Sequence, residues 1–265
     1  MKDVVYIGRH SRYDTSEEEG KGGKLTDAGK TEAVQKMLSY IISVFTDEEL
    51  KNTRFLFVAS PTSWKNNPKL GRRAVETSVI YRRAINKYLK NNCGMTQSEI
   101  RTCFMEDDCQ DAMIVPTMQK LIEEPNFWVE APEFVKKLEK ECGGRTAKFW
   151  NRLATVTDEE IKVYGEHVES SRDVARRMIK AFSMARQWGA AQEGVNTCVI
   201  MISHGETLQP FYDGMGFDFA KTDYNEGIVI EADGREKDDK VRIYDASFKQ
   251  PEKNVDLGKS IGEKK

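Results

Sequence analysis

The chain has 265 residues, of which 39% are hydrophobic and 32% are charged, and its formal net charge is −2. This composition fits one large globular domain or two small ones, and it gives no electrostatic case for nucleic acid or an anionic membrane as the main partner. No stretch approaches the roughly 20 apolar residues of a membrane-spanning helix, so we predict neither a signal peptide nor a membrane anchor.

Four short apolar runs predict the strands of one sheet. In chain order they are Val4–Ile7, Phe55–Ala59, the weaker Ile100–Met105, and Cys198–Ile202. Near-continuous apolar runs of this length are typical of central strands that are covered on both faces.

Helical patterns lie between these runs. They cover Asp27–Phe45 after Thr26 as an N-cap, Arg73–Leu89, and Asp158–Trp188 after a start at Thr157. Strands that alternate with helices predict an α/β fold. We therefore expect a three-layer sandwich with a mostly parallel central sheet and helices on both faces.

The segment 107–157 is less regular than the rest of the chain. It contains three prolines, the pair Gly143–Gly144 and a short helical patch at Glu133–Glu141. This pattern predicts an inserted cap over the edge of the sheet rather than an independent domain. We accordingly predict a single domain over residues 1–248.

The last part of this domain and the tail have different patterns. The runs Gly227–Ala232 and Lys240–Tyr244 flank a charged, glycine-containing link and predict a β-hairpin. Residues 249–265 are polar and charged, which predicts a flexible tail.

Residues with catalytic chemistry stand where the predicted strands end. Arg9 and His10 follow the first strand, Ser60 the second, Glu106 the weak one, and His204 the last. In open α/β sheets, ligands bind outside the carboxyl ends of the strands. Two interpretations are comparable: the histidines form one shared site, or each is a separate loop residue. Two of the chain's three histidines occur at such strand ends. Gly205, after His204, is expected to let the backbone turn tightly.

This set of side chains suits phosphoryl transfer. Arginine presents a planar fork of donors that matches phosphate oxygens. A neutral histidine can attack phosphorus, and a second histidine can stabilise the charge on the transferring group. A protonated carboxyl group can give its proton to the leaving oxygen.

Five short motifs occur in an order that resembles the histidine phosphatase superfamily, the phosphoglycerate-mutase-like group, and its phosphatase branch fits best. They are GRH at 8–10, LTDAG at 25–29, SP at 60–61, RAVET at 73–77 and SHGETL at 203–208. The resemblance implies that His10 becomes a phosphohistidine, that Arg9 and Arg73 bind phosphate, that His204 contacts the transferring group, and that Glu106 donates the proton. Thr26 and Gly29 would form a structural turn.

The implied activity is metal-independent hydrolysis of a phosphomonoester without a cofactor. The substrate would be a phosphorylated small molecule or a phosphoprotein. Two alternatives stay open: a phosphoglycerate-mutase-type phosphotransferase, and a catalytically inactive module that binds phosphate or protein. The five cysteines are odd in number and include no CxxC pair, which favours reduced thiols in a cytoplasmic protein without structural zinc.

The chain departs from the pattern of this family at several positions. Ser11 replaces the usual glycine after the first histidine, and its hydroxyl group either binds phosphate or crowds the pocket. A positive φ at this position would be strained for serine. Arg12 is either a third phosphate contact or a surface charge. The insertion 62–72 makes Arg72 a rival of Arg73. The acids that compete with Glu106 are Asp107, Asp108 and Asp111.

Overall fold

The structure is a computed structural model. It describes residues 1–14, 24–60, 73–105, 133–144, 146, 148–149, 152, 155–160, 170–232, 241–247 and 252–255. The strands are β1 (Asp3–Arg9), β2 (Thr53–Ala59), β3 (Thr102–Phe104), β4 (Asn196–Ser203), β5 (Gly227–Ala232), β6 (Val241–Asp245) and β7 (Lys253–Val255). The helices are α1 (Asp27–Val44), α2 (Asp47–Lys51), α3 (Arg73–Asn91), α4 (Glu133–Glu141), α5 (Ser171–Ala190) and α6 (Gly205–Gly214), and Phe219–Lys221 forms a 3₁₀ turn.

The strands form one sheet with the order β3-β2-β4-β1-β5-β6-β7. The pairs β3–β2, β2–β4 and β4–β1 are parallel, whereas β5, β6 and β7 are added antiparallel to their neighbours. The predicted hairpin of β5 and β6 is therefore confirmed. The parallel half carries the strand ends at which the sequence placed the chemistry.

Side chains along each strand point alternately to the two faces of the sheet, so a hydrophobic core forms on each face. In β1, Val4 and Tyr6 pack with α1 and α3, whereas Val5 and Ile7 pack with α5 and α6. The same alternation runs through β2 and β4, and every residue of β4 is buried. Helices thus cover both faces of the sheet, and the predicted three-layer α/β sandwich is confirmed.

The N-terminus of α1 is fixed by the turn that the sequence predicted. The side chain of Thr26 accepts a hydrogen bond from the Gly29 N–H at 3.0 Å, as an N-cap does. A Cβ at Gly29 would lie 2.6 Å from the Arg12 carbonyl oxygen and 2.9 Å from Ser11 Oγ. Glycine is required at this position because the segment after β1 passes so close to it.

The prediction of one helix from Asp158 to Trp188 is wrong. Ser170 has extended backbone angles, φ −72° and ψ 158°, and it caps α5 through a reciprocal capping box with Asp173. Residues 158–160 are helical, but they belong to a separate segment. The sequence pattern missed this break because serine and aspartate also occur inside polar helix faces.

The tail and the cap are described only in part. Within the stretch predicted as a flexible tail, Lys253–Val255 pairs with β6. The predicted helix at Glu133–Glu141 is confirmed. Most of the predicted cap, including 106–132, lies outside the described residues. Within the described ranges, no helix is both long enough and apolar enough to cross a membrane.

Candidate active site

The two strand-end histidines lie side by side. The parallel pairing of β1 and β4 sets Arg9 opposite Ser203, so the next residue of each strand leaves the sheet at the same edge. The His10 N–H donates to the Ser203 carbonyl oxygen at 3.1 Å. The imidazole rings of His10 and His204 are 5.0 Å apart between centroids. The arrangement favours the shared site over two separate loop histidines.

The tautomer of His10 is defined by its own backbone neighbour. Nδ1 lies 2.8 Å from the Ser11 carbonyl oxygen. Because a carbonyl oxygen can only accept a hydrogen bond, Nδ1 carries the proton and Nε2 presents a lone pair. This is the form of imidazole that acts as a nucleophile.

Burial and nearby positive charge keep both imidazoles neutral. Burial lowers the pKa of His10 well below its ordinary value, and His204 and Arg73 lower it further. Burial, followed by Arg73 and Arg9, lowers the pKa of His204 to about 3. Both histidines are therefore uncharged at neutral pH.

Arg9 and Arg73 are the two cations of the site, and aromatic rings support both. The Arg9 guanidinium carbon is 4.1 Å from the centroid of the Tyr224 ring. The Arg73 guanidinium carbon is 4.0 Å from that of Tyr13. Within the part of the chain that the structure describes, neither arginine forms an ion pair with a carboxylate. Arg9 Nε and His204 Nε2 are also buried there without a hydrogen-bond partner.

Ser11 is accommodated as part of the scaffold. It is fully buried, and its backbone is not in the left-handed region. Its hydroxyl group donates to the Gly29 carbonyl oxygen at 2.7 Å, and its N–H donates to Thr77 Oγ1 at 3.0 Å. The hydroxyl proton is thus already committed within the protein, and Thr77 ties the segment after β1 to α3.

Arg12 points to a different set of partners. Its Nε contacts Glu32 at 3.0 Å, and its Nη2 contacts Asp223 at 2.8 Å. The Arg12 side chain is 48% exposed. Two carboxylates therefore compensate this charge at the surface, beside the histidine pair rather than within it.

The predicted proton donor, Glu106, and its rivals fall outside the described residues. These end at Met105, whose N–H donates to the Phe57 carbonyl oxygen at 2.9 Å. The chain leaves β3 at the same sheet edge as the histidines because β3 is parallel to β2. The candidate acids Glu106, Asp107, Asp108 and Asp111, and the rival Arg72, all lie beyond the described ranges.

Gly205 begins α6 directly after His204, and its φ is not positive. A Cβ there would lie 3.3 Å from the Phe219 ring, which is a tight contact, and 3.7 Å from the Arg9 guanidinium carbon, which is an ordinary one. The change of direction from β4 into α6 therefore needs no left-handed backbone at Gly205, and its small size gives Phe219 room.

Two tyrosines of the site were not predicted from the sequence. Tyr13 and Tyr224 lie 5.5 Å and 5.7 Å from the His10 ring, measured between centroids. The proximity of Tyr13 to GRH was a usable signal. Tyr224 carries none, because the turn before β5 brings it to the site from far along the chain.

The described residues include no group of three or more His, Cys, Asp or Glu side chains that could hold a metal ion. The charge at this site comes from arginines. Its geometry suits an oxyanion that is placed between Arg9 and Arg73 and within reach of a histidine lone pair.

No family model matches the chain, and no curated protein matches it either. Solved structures do. YhfR of Bacillus stearothermophilus is 16% identical over 88% of this chain and 92% of its own, with a TM-score of 0.45. A phosphoglycerate mutase from Bacillus anthracis is 13% identical over 98% and 94%, with a TM-score of 0.43. The phytase of Citrobacter braakii is 12% identical over 92% and 84%, with a TM-score of 0.47.

Each of these similarities extends over most of this chain and most of the solved structure. The identities and TM-scores are low, so roles for residues of this chain have to be argued from the chain itself. The adjacent histidines and the two arginines supply that argument.

Proposed function

We propose that the protein is a metal-independent phosphomonoesterase that works through a phosphohistidine at His10. The observation that carries the proposal is the state of this imidazole. Its Nδ1 proton is held by the Ser11 carbonyl group, its pKa is lowered, and its free Nε2 lies beside His204.

Substrate binding would use the charge that the site leaves uncompensated. The phosphoryl oxygens would lie between the guanidinium groups of Arg9 and Arg73, which have no carboxylate partner among the described residues. A phosphate dianion would give the buried Arg9 Nε an acceptor. The His204 Nε2, which is also unpartnered, would contact the transferring group once a proton is shared with it.

The chemistry would proceed in two balanced steps. The Nε2 lone pair of His10 attacks phosphorus in line, the P–O ester bond breaks, and the leaving oxygen takes a proton from a carboxylic acid. Water then attacks the phosphohistidine, its proton goes to the same carboxylate, and the P–N bond breaks to release phosphate. We propose Glu106 as this acid, because it is the second residue after β3 in the sequence, and β3 ends at the edge of the sheet where the histidines lie.

The proposed substrate class is a phosphorylated metabolite or a phosphoprotein. A cytoplasmic location is also a proposal, and it is supported by the free thiols of Cys93, Cys103, Cys142 and Cys198.

The test is hydrolysis of para-nitrophenyl phosphate in the presence of EDTA, together with acid-labile phosphate on the protein after brief exposure to substrate. We expect wild-type turnover with EDTA and a labelled protein, and a loss of about 10³-fold or more in His10→Asn. Undiminished turnover in His10→Asn would overturn the proposal. Binding of inorganic phosphate without label or turnover would instead favour an inactive module, and primed conversion of 3-phosphoglycerate to its 2-isomer would favour a mutase.

The assignment of the acid has its own test within the same assay. Glu106→Gln is expected to lose most of the turnover of alkyl phosphates and much less of the turnover of para-nitrophenyl phosphate, because nitrophenolate leaves without a proton. Asp107→Asn, Asp108→Asn and Asp111→Asn are the matched controls. If one of these controls shows the selective loss instead, the proton donor is that residue rather than Glu106.

A further inference from the structure

We propose that Tyr224 and Tyr13 are positioning residues that orient Arg9 and Arg73 through their ring faces, in the place where carboxylates would otherwise hold them. The inference rests on the proposed phosphate site and adds how that site keeps its charge. An arginine in a protein is usually oriented by an acid, but an acid also occupies its donors and cancels its field.

Arg9 is held between two rings. Its guanidinium carbon lies 4.1 Å from the centroid of Tyr224 and 5.8 Å from that of Phe219. A ring face attracts the cation without accepting its in-plane N–H groups in conventional hydrogen bonds. The donors of Arg9 are consequently oriented but available, as its unpartnered Nε shows.

Arg73 repeats this arrangement with Tyr13, at 4.0 Å. The two tyrosine rings contact each other edge to face, with centroids 6.1 Å apart and an angle of 84° between the ring planes. Each ring also contacts His10. One aromatic pair thus links both arginines to the nucleophile, and movement of either ring would displace a cation relative to His10.

The turn that carries Tyr224 is fixed from its N-terminal side. Asp223 Oδ1 accepts the Tyr224 N–H at 2.7 Å, and Asp223 Oδ2 is paired with Arg12 at 2.8 Å. The Tyr224 carbonyl oxygen accepts a hydrogen bond from Lys36 Nζ at 3.1 Å. The surface charges of Arg12, Asp223 and Lys36 therefore fix the position of Tyr224 rather than bind phosphate.

The same turn is fixed from its C-terminal side. Asn225 has a φ of 59° and is the one non-glycine residue in the left-handed region among the residues described. Its Oδ1 accepts from the buried Tyr81 hydroxyl group, and its carbonyl oxygen accepts from that of Tyr6, each at 3.3 Å. The next carbonyl, of Glu226, accepts the Arg9 N–H at 3.0 Å. An unusual backbone state that many contacts hold in place is a feature of functional sites.

Tyr13 is anchored more simply. It forms an antiparallel bridge with Leu25, and the Asp14 N–H donates to the Lys24 carbonyl oxygen at 2.8 Å. These contacts lie next to the LTDAG turn. The ring that supports Arg73 is thereby tied to the start of α1.

The experiment compares Tyr→Phe and Tyr→Leu at positions 224 and 13, with the affinity for inorganic phosphate measured by calorimetry and kcat and KM measured separately. Phe keeps the ring face and should bind phosphate about as well as the wild type. Leu removes it, and we expect phosphate to bind about tenfold more weakly, with a matching fall in kcat/KM. Tyr88→Leu is the matched control, because Tyr88 is also half-buried and contacts Asp47 rather than an arginine.

Two results would overturn the proposal: wild-type phosphate affinity in both Leu variants, or equal losses in Phe and Leu, which would assign the effect to the hydroxyl group. If a Leu variant fails to fold, Tyr→Met provides a second side chain without a ring. Phosphate-induced stabilisation is then compared among the variants that do fold. A wild-type protein that binds phosphate through these rings but hydrolyses no ester would refute the proposed phosphatase and leave the positioning role intact.

Discussion

Arg9 and Arg12 stand three positions apart in one short segment and both lie near the Tyr224 ring, at 4.1 and 5.6 Å, but they differ in their charged partners. Arg9 lies over aromatic rings, and its Nε is buried without a partner. Arg12 is half-exposed and is paired with Glu32 and Asp223. The difference indicates separate roles for two arginines of one segment: we propose that Arg9 presents its charge to a ligand, whereas Arg12 fixes a turn.

The contrast is electrostatic as well as geometric. The field of Arg9 reaches the buried imidazole of His204 and lowers its pKa, and that of Arg73 does so more strongly. Arg12 shares its charge with two carboxylates in contact with solvent, where ion pairs contribute little. Among the residues that the structure describes, the arginines of the site are therefore supported by uncharged groups rather than by carboxylates.

The largest effect is expected from removing an arginine of the site. Arg9→Ala should lower kcat/KM for an aryl phosphate by about 10²- to 10³-fold, because donors that stabilise the transferring charge are lost. Arg9→Lys should restore little, since an ammonium group lacks the planar fork. Steady-state kinetics at fixed ionic strength measure both. A fall of the same size in Arg12→Ala would remove the distinction between the two arginines.

The next largest effect is expected from giving Arg9 a carboxylate partner, as Arg12 has. Phe219→Glu puts a carboxylate beside the guanidinium group, whereas Phe219→Gln is the neutral control of the same size. We expect kcat/KM to be about tenfold lower in the Glu variant than in the Gln variant, because the acid competes with phosphate for the same donors. Equal rates in the two variants would show that charge compensation at Arg9 is unimportant.

A smaller effect is expected from breaking the surface pair. Arg12→Ala and Asp223→Asn should each lower kcat/KM only about two- to fivefold, because they loosen the Tyr224 turn without removing a phosphate donor. The two variants should resemble each other and should not be additive when combined. If Arg12→Ala alone weakens phosphate binding and Asp223→Asn does not, Arg12 contacts the ligand directly.

A last prediction concerns stability in acid rather than turnover. His204 is held neutral in the folded state, with a pKa of about 3 against an ordinary value of 6.5. The unfolded chain therefore binds more protons between these values, and the free energy of unfolding falls as pH drops through this range. In His204→Gln the free energy of unfolding should fall less steeply with decreasing pH than in the wild type. The difference in slope should be about 1.4 kcal/mol per pH unit between about pH 6 and 4. Denaturant titrations in that range measure it, with Arg12→Ala, which should keep the wild-type slope, as the control.

Much of the scaffold could be predicted from local pattern. The apolar runs identified β1, β2 and β4, because central strands covered on both faces leave little choice of residue. The shared edge of His10 and His204 followed from strand order and parallel pairing. The break before Ser171 and the strand at Lys253–Val255 could not be predicted in the same way, because polar residues fill both.

The support of the site depends on distant contacts that local pattern does not carry. Tyr224 is brought beside Arg9 by the register of β5 against β1. Ser11 fits at this position because its N–H bonds to Thr77 and because Gly29 has no side chain to clash with it. Thr77 and Gly29 lie on two different helices. These relations became visible only when the elements were assembled.

The three-residue strands at the two margins of the described sheet have a consequence for solubility. A long, flat margin offers unpaired backbone groups to other chains, whereas a very short strand offers few. Both β3 and β7 contain three residues. Truncation before Lys253 would leave one side of β6 unpaired, including Val241 and Ile243. The last described strand thus shields the hairpin from intermolecular pairing, and its removal should promote aggregation without touching the catalytic edge.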